Sequence, residues 1–289
     1  MNPRFLLPLL LCLSFLPCQA HEHLNAGALS KAPGSPLFLA NAADYAATSG
    51  YVFGLDAGES GTPYEGYYYT GDLVLAALAA TPPFGGPEPL APAVGSVIEG
   101  VVETVSGPRG ASLGFWETSV DEVDSTTISW SVPVGLNGGT NRIRVSESNG
   151  TSGSDPYGHR HGRLYCVTQP GFYQVSFRFV DASTNGPSGG PIHTPSDRFV
   201  LNLQAGVTLA GISSSTNGTA IVFGAPANLP DTGAGTATQY QLEVATTLGT
   251  QALWKAAGDV VVGDDHMHTN TVSAGPTAQF FRLTTQEGQ

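Results

Sequence analysis

Apolar and polar residues alternate most clearly over residues 172–181. Tyr173, Val175, Phe177 and Phe179 fall on one side there, and Gln174, Ser176 and Arg178 on the other. A period of two over this length predicts a strand with one buried and one wet face. Shorter stretches of the same kind predict strands at 51–55, 64–70, 97–105, 112–116, 127–132, 142–145, 161–168 and 199–203. Gln169-Pro170-Gly171 reads as a turn pairing 161–168 with 172–181 as a hairpin. Residues 41–48 read as a short helix. The runs at 81–87 and 185–191, rich in Gly and Pro, read as loops. Beyond Gly206 a second set of strands is expected at 207–212, 219–223, 239–245, 252–256 and 279–283. The predicted fold is therefore all-β, with a β-sandwich domain over 21–206 followed by a small β-sandwich module over 207–289.

Composition agrees with many short strands cut by turns, since the chain holds 37 glycines and 21 prolines. Charge narrows the partners. The formal net charge is −12, and Lys31 and Lys255 are the only lysines. Nucleic acid and anionic lipid are poor partners for such a surface, whereas cations are drawn to it.

Residues 1–20 carry Arg4, an apolar stretch from Phe5 to Leu16 and a small-x-small end at Cys18-Gln19-Ala20. These are the parts of a secretory signal peptide. The expected product is secreted, periplasmic or on the cell surface. No later apolar run reaches spanning length, so it is not expected to be transmembrane. Cys166 would be the single cysteine left after processing, which excludes an intrachain disulfide.

Candidate chemistry is concentrated in histidine. Six of the seven histidines form three His-x-His pairs, His21/His23, His159/His161 and His266/His268, where composition alone would give about 0.15 such pairs. Residues i and i+2 of a strand share a face about 6.5 Å apart, so two imidazoles can turn toward one ion. Cleavage after Ala20 would leave His21-Glu22-His23 at the amino terminus. A histidine in third position then offers amine, amide nitrogens and imidazole to Cu(II) or Ni(II). His193 is a candidate third position from a loop, with Asp197 to orient it. His266 and His268, beside Asp264-Asp265, offer an independent carboxylate-histidine site, although His268 is expected to be an ordinary strand residue.

Gly158-His159-Arg160-His161, followed by Pro170-Gly171-Phe172-Tyr173, resembles an element of bacterial surface-anchored proteins associated with metal-type ABC transporters. Related secreted proteins repressed by the zinc regulator share it. The segment from Val105-Ser106-Gly107-Pro108 to Gly114-Phe115-Trp116-Glu117 resembles the middle strand of that group. The tryptophan usual after the second histidine is absent here, and Cys166 stands where an aromatic is expected. The resemblance implies metal binding in the first domain, with His21 or His23 filling an early histidine position and a metal transporter or the cell surface as partner.

The reading that results is a secreted, non-catalytic zinc-binding protein for metal acquisition or buffering, with His21, His23, His159, His161 and His193 as metal residues. Coordination by neutral imidazoles implies that affinity falls with acidification. Two alternatives stand beside it. One is an extracellular carbohydrate-binding or adhesion protein using Tyr64, Tyr67, Tyr68, Tyr69 and Trp116 as a stacking platform. The other is a copper enzyme with an amino-terminal histidine.

Overall fold

The structure is a computed structural model, and it describes residues 22–80, 90–117, 127–159, 163–229, 237–275 and 278–286. The chain is all-β, with 50% of the described residues in strands and 4% in helix. In chain order the first elements are β1 (Glu22–Ala28), β2 (Leu37–Leu39), α1 (Ala42–Tyr45), β3 (Val52–Ala57), β4 (Tyr68–Thr70), β5 (Leu73–Ala77) and β6 (Ile98–Ser106). Then come β7 (Ser112–Glu117), β8 (Trp130–Pro133), β9 (Asn137–Arg144), β10 (Gly158–His159), β11 (Arg163–Val167), β12 (Gly171–Asp181) and β13 (Phe199–Ala205). α1, a single turn, lies inside the span expected to be helical.

Two sheets result, one of order β10-β5-β1-β2 and a nine-stranded one of order β8-β7-β11-β4-β3-β13-β12-β6-β9. One core joins them. Leu24, Leu37, Leu73 and Leu75 from the smaller sheet are packed in a single cluster with Val102, Phe115, Tyr165, Val175, Phe177, Phe179 and Leu201 from the larger. The alternation over 172–181 holds on its apolar side, while on the polar side Ser176 is buried against Thr104. Tyr173, Val175, Phe177 and Phe179 are all buried while Gln174 is exposed.

The expected hairpin between 161–168 and 172–181 does not form. β11 pairs with β4 and β7, and β12 pairs with β13 and β6. In a flat sheet the two strands would stand four spacings apart, about 19 Å. The four residue steps from Val167 to Gly171 reach about 14 Å at most. The large sheet must therefore curl, and Gln169-Pro170-Gly171 arches across the core instead of reversing the chain beside itself. Tyr173 holds the arch by donating its hydroxyl to the Gln169 carbonyl at 2.6 Å. Its ring lies where a Cβ on Gly107 would stand, 2.4 Å away.

The rest of the chain forms β14 (Gly211–Ser215), β15 (Gly218–Ala225), β16 (Gln239–Ala245), β17 (Lys255–Ala256), β18 (Val261–Val262), β19 (His266–Val272) and β20 (Phe280–Gln286). One sheet has the order β14-β15-β19, and in the other β16 pairs with β17, β18 and β20. Phe223, Ala225 and Tyr240 are the small core of these strands. This segment leans on the large sheet through main-chain bonds from Val52 N–H to Asp265 O (2.7 Å) and from Met267 N–H to Gly50 O (2.9 Å). Gln204, fully buried, adds two more to Gly224, donating to its carbonyl at 3.2 Å and accepting from its N–H at 3.1 Å.

Candidate metal centre

β5 is the strand on which the site is built. All five of its residues, Leu73–Ala77, are buried. A continuous apolar run of this kind belongs to a strand covered on both faces. β1 runs parallel to β5 with His23 opposite Val74, and β10 runs antiparallel with His159 opposite Ala76. Val74 and Ala76 are two apart and share a face, so the two histidines stand on that same face from opposite sides. Their main chains are two strand spacings apart, about 9.6 Å. Val74 and Ala76 of β5 lie between the two strands on that face, and the imidazoles meet across β5.

The Nε2 atoms of His23 and His159 are in direct hydrogen-bond contact, across 136 residues of sequence. The ring centroids are 4.0 Å apart, with planes at 85°. Both residues are half-buried. The other ring nitrogen of His159, Nδ1, lies 3.1 Å from the Tyr157 hydroxyl. Burial, and then the neighbouring Glu147 carboxylate, raise the pKa of that phenol above its ordinary value. Tyr157 is thus a neutral partner at physiological pH. Glu147 also accepts the His159 main-chain N–H at 2.9 Å, which brings negative charge close to the pair.

Local sequence holds each half in place. Asn41, one residue before α1, spans the β1 backbone. Its Oδ1 accepts from Asn25 N–H at 3.1 Å and its amide donates to the His23 carbonyl. Gly158 is glycine because β10 passes tight against the end of β9. A Cβ there would lie 1.9 Å from the Val145 carbonyl oxygen. Asp155 caps the approach to β10, taking the N–H groups of Ala80 and Tyr157 on one oxygen at 3.0 and 2.9 Å. Arg163, a cation four residues beyond His159, is paired. Its Nε donates to Glu117 at 2.8 Å, and its guanidinium stands 5.0 Å from the Phe115 ring centre.

Of the five histidines expected at a metal, the structure brings His23 and His159 together, and His21 and His161 lie outside the described residues. His193 is a correction. Only 1% exposed, it has Nδ1 3.0 Å from the Ser35 carbonyl and accepts the Ala93 N–H on Nε2 at 2.9 Å. With both ring nitrogens on main-chain groups, no lone pair is left for an ion. Asp197, expected to orient it, accepts through its main-chain carbonyl from Ser196 instead. The neighbour that does orient this loop is Asp181, which takes the N–H groups of Val97 and Ser183 on one oxygen and of Ile192 and His193 on the other. Tyr157, Glu147 and Asn41 were not singled out from sequence. Tyr157 stands two residues before His159, the same-face spacing of a strand, and was the one readable signal.

His266 and His268 lie in β19 as strand residues. His268 Nε2 is 2.9 Å from Asp264, and its ring lies 6.0 Å from that of Phe223. The tyrosines of the proposed stacking set gather around Trp116. Tyr64 and Tyr67 meet the buried Trp116 edge-on, at 72° and 82°, and Tyr68 packs on the core. These rings cover Trp116, and Tyr64 also lies against Tyr69, with ring centroids 4.5 Å apart and planes at 30°.

Among the described residues, no group of three or more His, Cys, Asp or Glu side chains is gathered as a metal site. No helix among them is long and apolar enough to cross a membrane. No family model, curated protein or solved structure matches the chain.

Proposed function

We propose that the chain is a secreted protein that binds a transition metal ion, zinc, through His23 and His159, and serves metal acquisition or buffering. The observation that carries this reading is the meeting of two Nε2 atoms from residues 136 apart, across β5. For an ion to bind there, the ring that carries Nε2–H moves that proton to its own Nδ1 and the rings part, so that both Nε2 lone pairs of neutral imidazoles face the ion. His159 Nδ1–H then donates to the Tyr157 oxygen, which fixes the tautomer and the ring orientation, as partners of metal-bound histidines do. Two donors are fewer than the three or four protein ligands of ordinary zinc sites. His21 and His161, two residues from His23 and His159, are the proposed remainder. The proposed work is reversible coordination without turnover, and the proposed recipient of the ion is a transporter or the cell surface.

Zinc titration of the full chain, read by competition with a fluorescent chelator, tests the proposal. The wild type is expected to take one equivalent, and His23→Ala and His159→Ala each to weaken binding at least tenfold. His21→Ala and His161→Ala are expected to weaken it as well. Equal binding by wild type, His23→Ala and His159→Ala would remove the pair from the reading.

A further inference from the structure

Away from the histidines, a cleft of about 650 Å³ runs between the large sheet and the carboxy-terminal strands. That volume lies within the ~300–1,000 Å³ usual for ligand sites. Its floor is a row across three strands. Ser106 on β6 is opposite Gln174 on β12, which is opposite Asn202 on β13. Paired residues share a face, so a hydroxyl and two amides line up at strand spacing, about 4.8 Å apart. Phe172, two residues before Gln174, adds a half-buried ring to the same face, and Val222 and Met267 form the opposite wall.

The amides are arranged in one direction. Asn202, 3% exposed, donates to the Tyr51 carbonyl at 3.1 Å and accepts from Gln174 Nε2 at 3.2 Å. Gln174 is itself exposed, and its Oε1 and second N–H are left for a ligand. No described residue lining the cleft carries a charge. The nearest ion pairs on the sheet, Glu103 with Arg178 and Arg198, are closed on one another.

We propose that this cleft binds a neutral glycan segment. Groups that both donate and accept suit hydroxyls, which do the same, and an aromatic ring beside aliphatic walls suits the apolar face of a sugar. The absence of charge disfavours uronate, sulfate and phosphate ligands, which need a cation to offset their desolvation. The site depends on the seating of the carboxy-terminal strands on the large sheet, and it is independent of the histidine pair.

Affinity electrophoresis of the full chain in gels containing laminarin, galactomannan or hydroxyethyl cellulose tests the proposal, with polygalacturonate as the charged comparison. At least one neutral glycan is expected to retard the wild type. Gln174→Ala and Phe172→Ala are each expected to raise the apparent Kd five- to tenfold. Both should leave the melting temperature within a few degrees and zinc binding unchanged. If Phe172→Ala does not fold, the exposed Gln174→Ala decides alone. Retardation by none of the neutral glycans, retardation unaltered in Gln174→Ala, or stronger retardation by polygalacturonate would each overturn it. None of these results bears on the zinc titration.

Discussion

His159 faces Tyr157 with one ring nitrogen and His23 with the other, so a single imidazole links a phenol to its sister ring. Tyr157→Phe removes the phenol oxygen and leaves the ring volume almost unchanged. Zinc affinity is expected to fall about 10- to 100-fold. The urea midpoint should shift little, because Tyr157 is half-buried. Chelator competition and denaturation on the same variant separate the two effects.

Asn41 holds the main chain on both sides of Leu24. Asn41→Ala leaves the Asn25 N–H and the His23 carbonyl without that partner, and is expected to cost about 1–3 kcal/mol of stability. Zinc affinity should fall with it, since the strand that presents His23 loses its clamp. Urea unfolding and zinc titration check the two consequences.

Burial lowers the pKa of His193, with the Ser35 carbonyl and Asp181 acting in the opposite sense. The folded protein therefore refuses a proton that the unfolded chain accepts below its reference value of 6.5. Stability from this residue is complete above 6.5 and is lost as pH falls from there toward the lower, folded value, at up to about 1.4 kcal/mol per unit. Protonated Nε2 would also set its N–H against that of Ala93. Urea midpoints between pH 7.5 and 5 are expected to fall more steeply for wild type than for His193→Gln.

Cys166 sits between Gly114 and Tyr69 on neighbouring strands, and burial pushes its thiol up to about 12. A thiol is reactive as the thiolate. Iodoacetamide at pH 8 is expected to leave the native protein unlabelled for hours and to label it within minutes in denaturant, as read by mass spectrometry. Above pH 9 the unfolded chain ionises first, so Cys166 lowers stability there and Cys166→Ala is expected to flatten that decline.

Gln204→Ala would strip Gly224 of a donor and an acceptor in a buried place. The expected cost is about 1–3 kcal/mol, felt at the seating of the carboxy-terminal strands. Limited proteolysis should cut that segment earlier than in the wild type. The large sheet should retain its hydrogen-exchange protection.

Sequence revealed several strands with one wet face, although β9 begins well before the 142–145 expected for it. β12 and β16 stand close to where alternation put them, because Gln174 and Gln241 face outward between buried neighbours. β5 left no such trace. Covered on both faces, Leu73–Ala77 alternates nothing, and an apolar run without alternation does not say what it pairs with. The arch at Pro170-Gly171 carries the composition of a hairpin turn, and only the pairing of distant strands distinguishes them. His-x-His spacing drew attention to His23 and His159, which the fold brings together. Their meeting depends on β1 and β10 flanking β5, a tertiary fact with no local signature. His193 lies outside any such pair and turned out to be a fastener of loops.

β1 is the first described strand of the chain, yet it sits inside its sheet, between β5 and β2. Synthesis therefore produces His23 early and keeps it waiting through 136 further residues for the imidazole that faces it. A ribosome-bound fragment stopped before Gly158 would present His23 without the imidazole that faces it, so the pair is completed late in the making of each new molecule.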